Sequence, residues 1–173
     1  MLNALALGIT DAFDDACRVE GLDGTEATAL IALLDIAHAG SIRRLSFVLG
    51  VTHSGAVRVA DRLETRGWIT RAAVRDLRSV ELRLTPAGRQ LGRRMRRHRE
   101  DASMHVLAGL ASQEQAVLTA AVESMLARVV AHRLELRTEG LMPSGGALCR
   151  RCDFAACGRA SGRCPAQAAT SST

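Results

Sequence analysis

Apolar residues recur every three or four positions along most of this chain, and the breaks in that rhythm divide it into helices. Asn3 to Val19 mixes apolar and acidic residues at helical spacing until Gly21 and Gly24 interrupt it, which predicts a first helix. Thr25 is the expected cap of a second helix that passes through Leu30, Leu33, Leu34 and Ala37 to a stop at Gly40. Ser41 opens a third, with Ile42, Leu45 and Leu49 on one face and Gly50 at its end. Thr52 caps a fourth, in which Ala56, Val59, Ala60 and Leu63 fall at i, i+3, i+4 and i+7 and form the buried stripe. Ser54, Gly55, Val57, Arg58, Asp61 and Arg62 are then turned to the opposite face.

After Gly67 the period changes from 3.6 to 2. Trp68-Ile69-Thr70 reads as one strand, Val80, Leu82 and Leu84 alternate with polar residues in another, and Arg75-Asp76-Leu77-Arg78 forms a charged hairpin tip between them. Thr85-Pro86 starts a helix with a cap followed by proline at the first position, and the helix is expected to reach about Leu110. Ser112 and Gln115 have the spacing of a capping box for a last long helix. Its apolar residues, among them Val117, Val122, Met125, Val129 and Leu134, cover more than one narrow stripe, which predicts burial against a second subunit. Gly140, Pro143, Gly145 and Gly146 then mark a linker before a cysteine-rich segment, and Ala166 to Thr173 has the composition of a frayed end.

Composition adds charge to this outline. The 173 residues suit one domain with a short appendage. The net charge of +5 conceals an asymmetry: residues 41–100 hold 15 Arg against 5 acidic residues, and the rest of the chain is net acidic. The basic block coincides with the helix pair and hairpin, which favours a nucleic-acid partner. All 23 basic residues are Arg, a side chain suited to forked contacts with phosphate and guanine. The start of the chain lacks a basic leader and no long apolar run follows, so the expected location is the cytoplasm, with no membrane partner. No phosphate loop, no H-E-x-x-H and no nucleophile–base pair stands out, and the chain is not expected to be an enzyme.

Helix, short turn, helix, then a hairpin with a basic tip is the order of a winged helix-turn-helix. The expected class is therefore mainly α, with a small β-hairpin wing; the family resemblance given below adds N- and C-terminal dimerisation helices. The second helix of such a pair lies in the major groove of double-stranded DNA with its N-terminal residues at base edges. His53, Ser54, Gly55 and Arg58 are candidates for bases or phosphates, Val57 for a thymine methyl, and Arg62, further along, for a phosphate. Arg75 and Arg78 at the hairpin tip suit phosphates or a minor groove, with Asp76 either orienting Arg78 or serving only the turn.

The stretch L-x3-LGV-T-x-SG-x-V-R-x-x-D-R-L-E-x-R-G-W-I at 45–69, with R-D-L-R-S-V-E-L-R-L-T-P-A-G at 75–88, resembles the MarR family of bacterial winged-helix regulators. The flanking helices resemble it in order and length, so the likeness extends over about residues 1–137. The resemblance implies a homodimer joined by its first and last helices and reading a near-palindrome. It also implies that Asp76 and Arg78 support a wing contact with DNA. Many members answer to a small phenolic effector or to cysteine oxidation. With no Tyr, three Phe and one Trp, this chain offers little for an aromatic effector pocket.

Residues 138–148 read as the linker and 149–173 as a metal-binding tail. Cys149, Cys152, Cys157 and Cys164 are spaced C-x2-C-x4-C-x6-C and followed by Pro165. Four thiolates suit an iron–sulfur cluster or tetrahedral zinc, and in a reducing compartment they are more often ligands than structural disulfides. Only the first pair has knuckle spacing, and the wider later gaps and the Cys-Pro ending favour a cluster, with zinc, a redox disulfide and no cofactor as alternatives. Arg150, Arg151, Arg159 and Arg163 are positioned in sequence to offset a negatively charged centre. Cys17, alone in an apolar stretch, is expected to be a buried core residue. His38, His98, His105 and His132 lie on expected helices with no ligand pattern. These features predict a redox- or metal-responsive transcriptional regulator. A regulator with a structural zinc clip and a redox or metal-transfer module using its winged helix to bind a partner are the alternatives.

Overall fold

Local capping chemistry sets most of the helix boundaries. The computed structural model describes residues 1–36, 40–73, 80–141, 145–153 and 157–164. Helix α1 spans Leu2–Val19 and α2 spans Gly24–Asp35. The cap of α2 is Asp23, not Thr25. Asp23 Oδ1 accepts the Glu26 N–H at 2.7 Å while Glu26 Oε2 accepts the Asp23 N–H at 3.0 Å, a reciprocal pair that Thr25 has no means to form. Helix α2 also ends before the expected Gly40, passing into an extended Ile36.

Helix α3, Ile42–Leu49, begins where Ser41 Oγ accepts the Arg44 N–H and ends at Gly50 in the left-handed conformation, φ 70°. Helix α4, His53–Thr65, begins at Thr52, whose Oγ1 accepts the Gly55 N–H at 3.1 Å. Its stripe of Ala56, Val59, Ala60 and Leu63 is buried as the periodicity predicts. Strands β1, Ile69–Ala73, and β2, Val80–Leu84, pair antiparallel with Arg71 opposite Leu82; β1 starts one residue later and runs further than Trp68-Ile69-Thr70. The other edge of β2 meets the segment before α3, where Leu82 N–H donates to Gly40 O at 2.6 Å and Ser41 bridges Glu81. A Cβ on Gly40 would stand 2.9 Å from Leu82 O, so this glycine serves a close backbone approach rather than a helix stop.

Thr85 caps α5, Pro86–Leu107, and ties it to the end of α4's connection: its Oγ1 accepts the Gly88 N–H at 3.0 Å and donates to Gly67 O at 2.8 Å. Gly88 is required there, because a Cβ would collide with the Trp68 carbonyl. The residues Met1–Val106 and Gly145–Arg151 form one unit. Its core gathers Phe13 and Cys17 of α1, Leu30 of α2, Leu45 and Val48 of α3, Leu63 of α4, Ile69 and Leu82 of the strands, and Met95 of α5. Burying this apolar set supplies the main drive for folding.

The second unit comprises Leu107–Ser144 and Cys152–Thr173. Helix α6 spans Ser112–Thr138. The expected Ser112–Gln115 capping box is absent: Ala111 is the cap position, Glu114 Oε2 accepts its N–H at 2.8 Å, and Gln115 Nε2 instead donates to Leu110 O at 3.0 Å. Glu114 wins because the helix starts one residue earlier in register, placing it three residues after the cap. Val117, Val122, Met125 and Val129 are exposed on α6.

Candidate nucleic-acid interface

The outward face of α4 divides into two halves. At its N-terminal end His53, Ser54 and Arg58 are exposed and Gly55 and Val57 half-buried. Ser54 Oγ lies 3.2 Å from the capping Thr52 Oγ1, which ties that hydroxyl to the helix start. Among the described residues the Arg58 guanidinium makes no hydrogen bond or ion pair, as also holds for Arg43 on α3. An exposed Arg with nothing to hold it is available to an external acceptor.

The C-terminal half is committed internally. Arg62 Nε donates to Glu26 Oε1 at 2.6 Å and its terminal nitrogen to Asp23 Oδ2 at 3.0 Å. These carboxylates raise the Arg62 pKa, the hydrogen bond to Glu26 most of all. Glu26 is 3% exposed and belongs to the α2 capping box, so one buried carboxylate caps α2 and fixes α4 against it. Arg66 donates to Gly21 O and lies over the Trp68 ring, 5.0 Å from its centroid. The residue read from sequence as a phosphate contact, Arg62, therefore holds a position in the scaffold, with its side chain still partly exposed.

Arg71 on β1 joins the hairpin to α4, reaching Asp61 and Glu64 at 2.6 Å each. Hydrogen bonding to Asp61 leads the causes that raise its pKa. Sequence reasoning missed this link because it crosses elements; the signal was the pair of acids three residues apart on α4. Arg75, Asp76 and Arg78, the expected wing contacts, lie outside the described residues.

Cys17 is fully buried, and burial first, then the charge of Asp14, pushes its thiol up to about 11. It is a core residue, as expected, and unreactive at neutral pH. Cys149 lies in the 3-10 turn Leu148–Arg151 of the first unit, half-buried. Cys152, Cys157 and Cys164 belong to the second unit; the Cys157 N–H donates to Asp153 O at 2.9 Å, and Cys164 is buried. The described residues contain no group of three or more His, Cys, Asp or Glu gathered to hold a metal. Of the arginines expected to balance a centre, Arg150 donates to the carbonyls of Gly145, Ala147 and Val48, and Arg151 lies over the Phe13 ring.

Residues 20–79 match the family model described as MarR family. The chain is 30% identical over 114 residues to the transcriptional repressor MprA of Escherichia coli K12 and spans 65% of that relative's length, using 65% of its own. A crystal structure of MepR, a transcription regulator of the Staphylococcus aureus multidrug efflux pump MepA, superposes with TM-score 0.65 at 16% identity, covering 74% of this chain and 95% of that one. MepR in its DNA complex superposes with TM-score 0.60, again at 16% identity, over 73% of this chain and 94% of that one. The structural likeness establishes the winged helix-turn-helix fold.

Proposed function

We propose that the protein is a MarR-family, DNA-binding transcriptional regulator that acts as a homodimer, with a metal centre on its cysteine tail; the match of residues 20–79 to the MarR family model and the winged-helix fold support this reading. The observation that carries the DNA reading is the N-terminal half of α4, where Arg58 is exposed and unpaired among the described residues beside a capped helix start. His53, Ser54 and Val57 would meet bases or the adjoining backbone, and Arg43 on α3 would meet phosphate. MprA is a repressor and MepR forms a DNA complex, which supports the same role here. The protein on this reading binds rather than catalyses. No helix among the described residues is long and apolar enough to cross a membrane.

Exposed apolar side chains support the homodimer. Leu2 and Leu7 on α1, and Val117 and Val129 on α6, are large groups left to water in the single chain. A second copy is the occupant that the family resemblance favours. The spacing of Cys149, Cys152, Cys157 and Cys164 supports an iron–sulfur cluster, and zinc is the alternative.

Selection of duplexes from a randomised library by the full chain tests the DNA role. The expected outcome is enrichment of a near-palindromic site with two half-sites about one helical turn apart. Failure to enrich any sequence would remove the regulator reading. Visible absorption and metal analysis of protein purified without oxygen test the tail: a coloured protein with iron and sulfide is expected, one zinc per chain and no colour would select the alternative, and a metal-free protein would end both.

A further inference from the structure

We propose that Gly145–Arg151 is a strap that sets the α3–α4 turn, with Arg150 as the residue that positions α4 for base reading; this rests on the assignment of α4 to DNA and needs nothing bound to the chain. The residues that the strap meets, Phe13, Val48, Gly50 and Arg99, belong to the same unit as the strap itself. The last carbonyls of a helix lack partners within it. At the end of α3, Ser46 O accepts Gly50 N–H at 2.9 Å and Val51 N–H at 3.2 Å, whereas Val48 O takes Ala147 N–H from the strap at 3.1 Å. Arg150 donates to Ala147 O at 3.2 Å and to Gly145 O, which folds the strap on itself, and reaches Val48 O at 3.5 Å. Two other helices hold the strap's far end. Arg99 of α5, 8% exposed, donates to Arg150 O at 2.9 Å; a buried guanidinium requires acceptors, and the strap supplies this one. Arg151 lies over the Phe13 ring of α1, 5.7 Å from its centroid, and Ala147 packs against the core. An element pinned to α1 and α5 and bonded to α3 restrains the end of α3 relative to both.

The approach is close enough to demand glycine on both sides. A Cβ on Gly50 would stand 2.6 Å from Gly145 C, and one on Gly146 would stand 2.6 Å from Val48 O while also striking Gly50 N. Gly50 thus has two duties, as the left-handed cap of α3 and as the floor on which the strap lies. Only Gly50, Val51 and Thr52 separate α3 from α4, so the direction in which α4 leaves is decided within the turn that the strap covers. Ser54 and Arg58 need that direction to meet base edges, because hydrogen bonds there are short and directional. Phosphate contacts tolerate more displacement, since charge carries most of their energy and they hold no sequence information. Loss of the strap therefore costs recognition of a sequence more than it costs binding of DNA as such.

The test uses the full chain and two variants. Gly146→Ala adds a methyl against Val48 O, and Arg150→Ala removes a donor without adding bulk. Hydrogen exchange at the Ala147 amide reads docking of the strap and should be about tenfold faster or more in both variants. Equal exchange in all three proteins overturns the strap. Each folded protein is then titrated, well below its unfolding midpoint, with a duplex enriched from a randomised library by the wild type and with a scrambled duplex of the same length. The preference for the enriched duplex, as a ratio of Kd values, should fall by about fivefold or more in both variants, with affinity for the scrambled duplex within about twofold of wild type and the salt slope unchanged. A wild-type preference in the folded variants would leave the strap as a stabilising element only and overturns the positioning role. Equal loss on both duplexes, with a slope shallower by about one, would make Arg150 a phosphate contact and overturns that role as well. A wild type that enriches no duplex overturns the DNA reading and the positioning role together, while the exchange rates still decide whether the strap docks.

Discussion

Arg58 and Arg62 stand one turn apart on α4, alike in chemistry and both exposed to solvent, yet their surroundings differ. Arg62 is held by Glu26 and Asp23 of α2, while Arg58 has no partner among the described residues. Charge on a helix face is thus of two kinds here, one already engaged by carboxylates of the same chain and one not. The C-terminal half of α4 is anchored, and the proposed reading of DNA falls to the N-terminal half.

The contrast breaks most visibly at Glu26. Replacing this buried carboxylate by Ala removes the side-chain half of the α2 capping box and the main partner of Arg62, which should cost about 2–3 kcal/mol, below the range for a wholly buried pair because Arg62 is partly solvated. Urea unfolding checks it; a loss under about 0.5 kcal/mol would mean that the anchor is ornamental. Next in size, Arg58→Ala should weaken DNA binding by about tenfold or more and leave the unfolding midpoint unchanged. Arg62→Ala should show the reverse balance, losing about 1–2 kcal/mol of stability and less DNA affinity than Arg58→Ala. A purely DNA-directed loss at Arg62 would erase the distinction between the two halves.

Legibility follows the same division between local and distant causes. Ser41, Gly50, Thr52 and the Thr85-Pro86 pair act within three residues, so the helix-turn-helix and the start of α5 were readable from sequence. Thr25 and Ser112 misled because a neighbouring Asp-x-x-Glu or a shifted Glu captured the cap instead. Arg58 was readable as an outward residue at helical spacing. The ion pairs of Arg62 were not, since its partners lie 36 and 39 residues away. Gly145 and Gly146 have the composition of a linker, and only the fold shows that segment bonded to α3. The apolar excess of α6 was readable in its composition, and Val117, Val122, Met125 and Val129 are exposed.

A smaller effect sharpens the account of the hairpin. Arg71→Ala should cost about 0.5–1 kcal/mol, because two part-exposed ion pairs are lost, and should loosen β1 from α4. Faster hydrogen exchange in β1 with unchanged exchange in α2 would support the link; equal change in both would not. The smallest concerns pH. Two hydrogen bonds from Arg94, at 2.9 Å each, hold the Glu20 carboxyl below its usual range. A carboxyl depressed in the folded state contributes stability above its unfolded pKa and loses it as pH falls through the folded one. Glu20→Gln should therefore be less stable than wild type at neutral pH, by under about 1 kcal/mol, and the gap should close in acid. A gap that is constant with pH would exclude the ion pair as its source.

The most direct measurement is fluorescence anisotropy of a library-enriched duplex, titrated with wild type, Arg58→Ala and Arg62→Ala over a range of salt concentrations. The account predicts tight, salt-dependent binding by the wild type, with Arg58→Ala weaker by about tenfold or more and its salt slope shallower by about one contact, and Arg62→Ala nearer the wild type. Binding by Arg58→Ala that matches the wild type at every salt concentration would contradict it.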